Sequence, residues 1–165
     1  MRLVTLLMVF FSWTAHAQTL DPAHGVVLSE SAGKPLHRQR LCNRPMPWPI
    51  EGTWMPDPSH VRRLEVALAS ALQAALDSAP GGRYPKPVAS GFYRQYLGLM
   101  VAGKRIIYIN GLHEQLVAHG RPDEWRTVAW NGCDGGLHAF SAEYDVASDT
   151  VGSVIFNGGG RGRTG

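Results

Sequence analysis

Apolar residues recur every three or four positions through one stretch of the chain, and this spacing predicts an amphipathic helix. Asp57 directly precedes Pro58, the usual pattern of an N-cap and the first helical position. Pro80-Gly81-Gly82 predicts where the helix ends. A helix of about twenty residues is about 30 Å long, and its apolar face needs a sheet or another helix to cover it. The apolar positions are Val61, Leu64, Leu68, Ala71, Leu72, Ala75 and Leu76.

Runs of aromatic and β-branched residues after the helix predict strands. The turns of two hairpins are indicated by Ala102-Gly103-Lys104 and Ala147-Ser148-Asp149. We therefore expect an α+β fold, with one long helix packed on a four- to five-stranded antiparallel sheet. The predicted strands are residues 92–101, 105–110, 125–130, 137–146 and 150–156.

The chain before the helix is polar and rich in proline, which disfavours helices and the interior of sheets. We expect residues 18–56 to form an extended Pro-rich arm that lays two tryptophans on the folded body. The α+β domain then spans residues 57–158, and residues 159–165 form a flexible Gly/Arg tail.

Residues 1–17 have the features of an export signal peptide. Arg2 supplies a positive start, an apolar run follows, and Ala15 and Ala17 are small residues at the positions that signal peptidase reads. The apolar run is shorter than the ~20 residues needed to cross a bilayer. A buried N-terminal helix is the alternative. We expect a mature chain that begins at Gln18, spans no membrane and is periplasmic or secreted.

The two cysteines fit an oxidising compartment, where one disulfide between Cys42 and Cys133 is the expected state. Such a bridge closes a large loop, for which the chain-entropy model gives a stabilisation of about 4–5 kcal/mol. A free, reactive Cys133 is the alternative.

Composition limits the classes of function. Apolar residues make up 44% and charged residues 18%, which is ordinary globular usage and not that of a disordered chain. The formal net charge is +3, and removal of Arg2 lowers it further. So small an excess does not support the basic stripe of a non-specific nucleic-acid-binding protein.

A first candidate for catalysis lies around Cys133 and His138, with Asp134 beside them and His113 and His119 upstream. A cysteine hydrolase needs a thiolate, an imidazole and an orienting carboxylate or amide. The expected disulfide competes for the same sulfur, and a bridged cysteine at a tight glycine turn explains the pattern equally well.

A second candidate is the pair Glu143 and Asp145, which alternate on a predicted strand and so project from one face. A glycosidase uses two such carboxyl groups about 5–10 Å apart, although any solvent-facing strand gives the same spacing. A small hydrolase using Cys133/His138 or Glu143/Asp145 is thus the alternative function. Neither a zinc motif nor a phosphate-binding loop is present, so we expect no metal and no cofactor.

Aromatic and arginine side chains on the strands favour a binding role, since these types are enriched at the centres of protein interfaces. Both faces of strand 92–101 carry aromatic residues, so an exposed Tyr/Arg patch is expected on one of them. The leading hypothesis is a non-enzymatic protein that recognises another protein or a cell-envelope component, with its oligomeric state left open. The candidate binding surface consists of Arg94, Tyr96, Tyr108, Trp130, His138 and Glu143.

The order of one long helix followed by antiparallel strands resembles the cystatin-like family of folds. The stretches 93–96 (YRQY), 108–110 (YIN), 133–136 (CDGG) and 143–145 (EYD) are similar to small exported bacterial proteins of unassigned activity. The inhibitory loop motif of true cystatins is absent. The resemblance therefore implies a sheet wrapped around a helix and brings no catalytic residues.

Overall fold

A computed structural model describes residues 21–32, 49–81, 85–119, 124–130 and 135–157. Within these ranges, no helix has the length and apolar character needed to span a membrane. The predictions for residues 1–17, Cys42, Trp48, Cys133, Asp134 and residues 159–165 lie outside the described residues.

The predicted long helix is present as α1, Pro58–Ser78. The Asp57 carboxylate accepts from the backbone N–H groups of Ser59 and His60, while the Asp57 N–H donates to the His60 ring. This reciprocal cap satisfies N–H groups that have no partner inside the helix. The N-cap and the helix predicted from the sequence are both confirmed.

In the described ranges, the strands form one mixed sheet of seven strands. The strand order is β1-β3-β4-β5-β6, with β2 also paired to β3 and β7 also paired to β5. The bounds are β1 Gly25–Val27, β2 Ile50–Trp54, β3 Phe92–Val101, β4 Lys104–His113, β5 Ala139–Asp145, β6 Thr150–Val151 and β7 Ile155–Phe156. A short helix, α2 (Glu114–His119), follows β4.

The centre of the sheet is the β3–β4 hairpin, which is paired from Phe92 opposite His113 to Val101 opposite Lys104. Both residues of its tight turn, Ala102 and Gly103, have positive φ. That is the backbone twist that two-residue hairpin turns require. The predicted first hairpin is therefore confirmed, and β4 continues to His113 rather than ending at residue 110.

The α+β class is confirmed, but the expected strand number and the purely antiparallel pairing are wrong. Two of the additional strands, β1 and β2, lie in the segment that was expected to form an extended arm. Both pair with the same edge of β3. β1 runs parallel to β3 and β2 runs antiparallel to it. The free backbone groups of an edge strand provide this pairing without a helical or hairpin signal in the sequence.

The strand predicted at residues 125–130 is also wrong, because residues 124–127 form turns. The N–H groups of Thr127 and Val128 donate to the carbonyl of Glu124 at 2.9 and 2.8 Å. The aromatic character of this stretch reflects burial: Trp125 packs with Leu112 and Val117.

The sheet has a helix-facing side and an opposite side, and each carries a core. On the helix-facing side, α1 packs its leucines against side chains of β3, β4 and β5. On the opposite side, residues 26–32 and 124–130 cover β3 and β4. The opposite-side core contains Leu28, Leu97, Leu99, Ile106, Tyr108 and Ala129.

Candidate functional site

The expectation that Arg94 and Tyr96 form an exposed patch is wrong, because both side chains are fully buried, each 0% exposed. They lie on the helix-facing side of β3, where α1 covers them. Alternation along a strand shows which residues share a face, but it does not show which face the helix covers.

Arg94 instead joins three parts of the fold. Its Nε donates to Glu65 Oε1 on α1 at 3.1 Å and to the Tyr96 hydroxyl at 3.0 Å. Its Nη2 donates to the backbone carbonyl of Asp21 at 2.6 Å, in the segment that leads into β1. The Tyr96 hydroxyl donates in turn to Glu65 Oε1. Burial raises the pKa of Tyr96 well above its usual range, so this hydroxyl keeps its proton.

A second buried polar group, on the opposite side of the sheet, holds the 124–130 loop. Gln95 Nε2 donates to the carbonyls of Trp125 and Val128 at 2.6 and 2.7 Å. Gln95 Oε1 accepts from Asn110 Nδ2 at 2.8 Å and from the Trp130 N–H at 2.9 Å. Trp130 is thereby fixed at the edge of this loop, half-buried rather than free on the surface.

The opposite side of the sheet opens beside β5, where a cavity of about 180 Å³ lies. Tyr108 on β4 and Glu143 on β5 are directly paired across the two strands, and both line it. Two of the six residues of the predicted binding surface are thus brought together. The other lining residues are Ser141, Ala142, Gly152, Ser153 and Ile155.

An interruption in the edge of the sheet shapes the mouth of the cavity. β6 pairs with the end of β5 and β7 pairs with its beginning, so residues 152–154 run free of the ladder between them. The N–H of Gly152 donates to the carbonyl of Glu143 at 2.8 Å and anchors this short segment. Gly152 and Ser153 are exposed, whereas Ser141 is only 3% exposed and forms part of the inner wall.

Glu143 is the charged group of the cavity, and it is half-buried. Desolvation raises the pKa of its carboxyl above the usual value of 4.5. Among the residues that the structure describes, the ion pairs involve other acids, and none places a basic side chain on Glu143. At neutral pH the cavity therefore presents a partly desolvated carboxylate for which the described part of the chain supplies no counter-ion.

Asp145 does not join Glu143 as a second working carboxylate. One of its carboxylate oxygens accepts from the backbone N–H groups of Ala147 and Ser148, at 2.8 and 3.3 Å. This arrangement closes the turn between β5 and β6, which is a common use of aspartate. The geometry gives Glu143 and Asp145 different roles.

His138 lies against His113, with ring centroids 5.1 Å apart. Burial, and then the neighbouring His138, lowers the pKa of His113, so its ring is neutral at pH 7. His119 is exposed, and its Nδ1 lies 2.7 Å from the carbonyl of Gln115 on the same short helix. In the described part of the chain, no three metal-ligating side chains come together. Cys133, on which the cysteine hydrolase alternative depends, lies outside the described residues.

Ser141 and Ser153 are site residues that the sequence analysis missed. Serine carries no functional signal by itself. Ser141 lies two residues before Glu143 on β5, and Ser153 reaches the cavity because the chain between β6 and β7 runs beside β5. Gln95 and Asn110 were missed for the same reason. In the sequence they are ordinary polar strand residues, and only the fold shows that their amides form the framework beneath the loop.

Comparison with known proteins yields no matching family model, no matching curated protein and no matching solved structure.

Proposed function

We propose that this protein is exported and recognises another protein or a cell-envelope component, and that the cavity beside Glu143 receives a group of that partner. The observation that carries the proposal is the half-buried carboxylate of Glu143, which has no counter-ion among the described residues and lines a cavity open to solvent. A partly desolvated charge without a partner lowers the stability of the protein. Binding of a ligand that supplies the opposite charge offsets this cost and is therefore favourable.

The surroundings of Glu143 support binding of a small part of a larger partner. A volume of about 180 Å³ is smaller than the typical ~300–1,000 Å³ pocket for a whole small molecule. It matches a single inserted side chain or headgroup. Tyr108 and Glu143 stand on paired strands, so the backbone at Glu143 is held in place before the partner arrives.

Site-specific photo-crosslinking in cells that make the full chain tests this function. A photo-reactive amino acid at Ser153, on the mouth of the cavity, is compared with one at Val66, which is 78% exposed on α1. We expect a defined adduct at Ser153 and none at Val66. Excess unmodified mature protein should prevent the adduct, while the Gly152→Leu variant, which narrows the mouth, should not.

Equal adducts at Ser153 and Val66, or no adduct at Ser153, would show that the cavity is not the recognition site. An adduct that the Gly152→Leu protein also suppresses would place the partner elsewhere on this face.

A further inference from the structure

We propose that the group received by the cavity is an alkylammonium, as carried by a lysine side chain of the partner. This inference rests on the proposed function and specifies the chemistry of the same site. Three features of the cavity carry it: its charge, its apolar wall and the types of its other oxygen-bearing residues.

The charge of the cavity selects a cation. Among the described residues that line it, Glu143 is the one carboxylate, and none is basic. A bound ammonium would donate a charge-assisted hydrogen bond, which is about twice as strong as a neutral one. An anionic ligand would meet an unscreened like charge in a partly desolvated site.

The walls suit an aliphatic stem beneath the charge. Ile155, opposite Ser141 in the β5–β7 pairing, gives the cavity apolar surface, and Ala142 and Tyr108 also line it. A lysine stem of four methylene groups can bury against such surface while its charged end reaches the carboxylate. A short amine such as ethanolamine would reach Glu143 but would leave the apolar wall uncovered.

The remaining lining residues favour an ammonium over a guanidinium. Ser141 and Ser153 contribute hydroxyl groups, which accept as well as donate. An ammonium has three donors that rotate freely about one bond, so it can combine one carboxylate with separate hydroxyl oxygens. A guanidinium is a rigid planar fork that is best matched by a bidentate carboxylate or phosphate.

The experiment is an NMR titration of the isotope-labelled mature protein with N-acetyl-lysine methylamide, following the backbone amides of Ala142, Glu143 and Gly152. The norleucine analogue has the same stem without the charge, the arginine analogue carries a guanidinium, and ethanolamine represents a free amine or a lipid headgroup. We expect the lysine compound to bind at least about tenfold more tightly than each of the three, since each lacks either the charge, the shape or the stem.

Variants locate the interaction. Glu143→Gln should reduce lysine binding about tenfold, whereas Glu30→Gln, the same change at an exposed site, should leave it unchanged. Binding should also weaken as the pH falls and Glu143 gains a proton. The amide spectrum of each variant reports directly whether it is folded.

The possible failures are distinct. Equal binding of the norleucine compound would overturn the ammonium inference and identify an apolar pocket. Tighter binding of ethanolamine than of the lysine compound would overturn the assignment to a lysine side chain and identify a lipid headgroup or a free amine as the ligand. No lysine binding, together with a Ser153 adduct in cells, would overturn this inference and leave the recognition function standing. If neither lysine binding nor a Ser153 adduct is observed, the proposed recognition function is overturned as well.

Discussion

The side chains of Arg94 and Glu65 meet inside the protein, where Arg94 Nε donates to Glu65 Oε1 at 3.1 Å. Arg94 lies on the central strand β3 and Glu65 on α1, so the pair fixes how the helix sits on the sheet. Arg94 is fully buried, whereas the exposed pair between Arg63 and Asp149 joins α1 to the turn before β6. The two ion pairs have similar N–O distances, but the first involves a buried arginine and the second is exposed to solvent.

Arg94→Met should lower the free energy of unfolding by about 3–5 kcal/mol, because it leaves the Glu65 carboxylate buried beside an uncharged side chain. Urea unfolding measures this value. Arg63→Met is the matched control and should cost about 1 kcal/mol or less, since solvent screens that pair. The double variant Arg94→Met/Glu65→Leu should recover part of the loss, and a double variant less stable than Arg94→Met would contradict this account.

Gln95→Leu should destabilise the protein by about 1–3 kcal/mol, because it leaves the Trp125 and Val128 carbonyls without their donor. The loss should be concentrated in the 124–130 loop. Hydrogen exchange checks this at the Trp130 amide, which donates to Gln95. Gln115→Leu, at an exposed position on α2, is the control and should change stability by about 0.5 kcal/mol or less. Unchanged exchange at Trp130 in Gln95→Leu would contradict the assigned role.

Glu143→Gln should raise the melting temperature at pH 7 and have little effect near pH 4. The pKa of Glu143 is raised in the folded protein above its ordinary value of 4.5, so folding favours the protonated form. The loss of stability caused by the charged Glu143 carboxylate is absent below pH 4.5. It appears as the pH rises through the pKa of Glu143 in the folded protein. Thermal unfolding across this range tests the prediction, with Glu30→Gln as the exposed control. A stabilisation equal at both pH values would indicate a cause other than the charge.

His113 should make the protein less stable in mild acid. Its pKa in the folded protein is lowered below the ordinary value of 6.5, so the unfolded chain takes up a proton first as the pH falls. Stability is therefore complete above pH 6.5 and decreases between that pH and the lower folded pKa. The groups that act on the ring are His138, which lowers its pKa, and Glu114, which raises it. His113→Gln should flatten stability between pH 7 and 5, as measured by urea unfolding, and a slope as steep as before would exclude His113 as its source.

Export should produce a mature protein that begins at Gln18 and carries a Cys42–Cys133 disulfide. N-terminal sequencing of the exported product checks the first part. Mass spectrometry before and after reduction checks the second, since the bridged form is lighter by two hydrogen atoms. Alkylation of Cys133 without prior reduction would instead favour the hydrolase alternative.

The elements dominated by local patterns could be predicted. The spacing of apolar residues from Val61 to Leu76, with Asp57 before Pro58, is a local pattern that predicts the helix. The β3–β4 hairpin carries its turn in two adjacent residues. The strand predicted at residues 125–130 is wrong because aromatic residues are common both in strands and at buried loop positions such as that of Trp125.

The candidate site was predicted only in part. Tyr108 and Glu143 were both selected, but their direct pairing depends on the register of β4 against β5, which the sequence does not state. Arg94 and Tyr96 were selected for the same chemical reasons and are structural, because they lie on the side of the sheet that α1 covers. The chemical type of a side chain is a property of the sequence, whereas its exposure is not.

The sequence by itself determined the class of the protein: one capped amphipathic helix, a central hairpin, and apolar faces that must cover each other. These follow from interactions between residues a few positions apart. The tertiary structure alone decided that β1 and β2 join β3, that Glu65 neutralises Arg94, and that Glu143 is left beside a cavity without a counter-ion in the described chain. These depend on contacts between distant residues, where the same side chain is satisfied or left unpaired according to what the fold places against it.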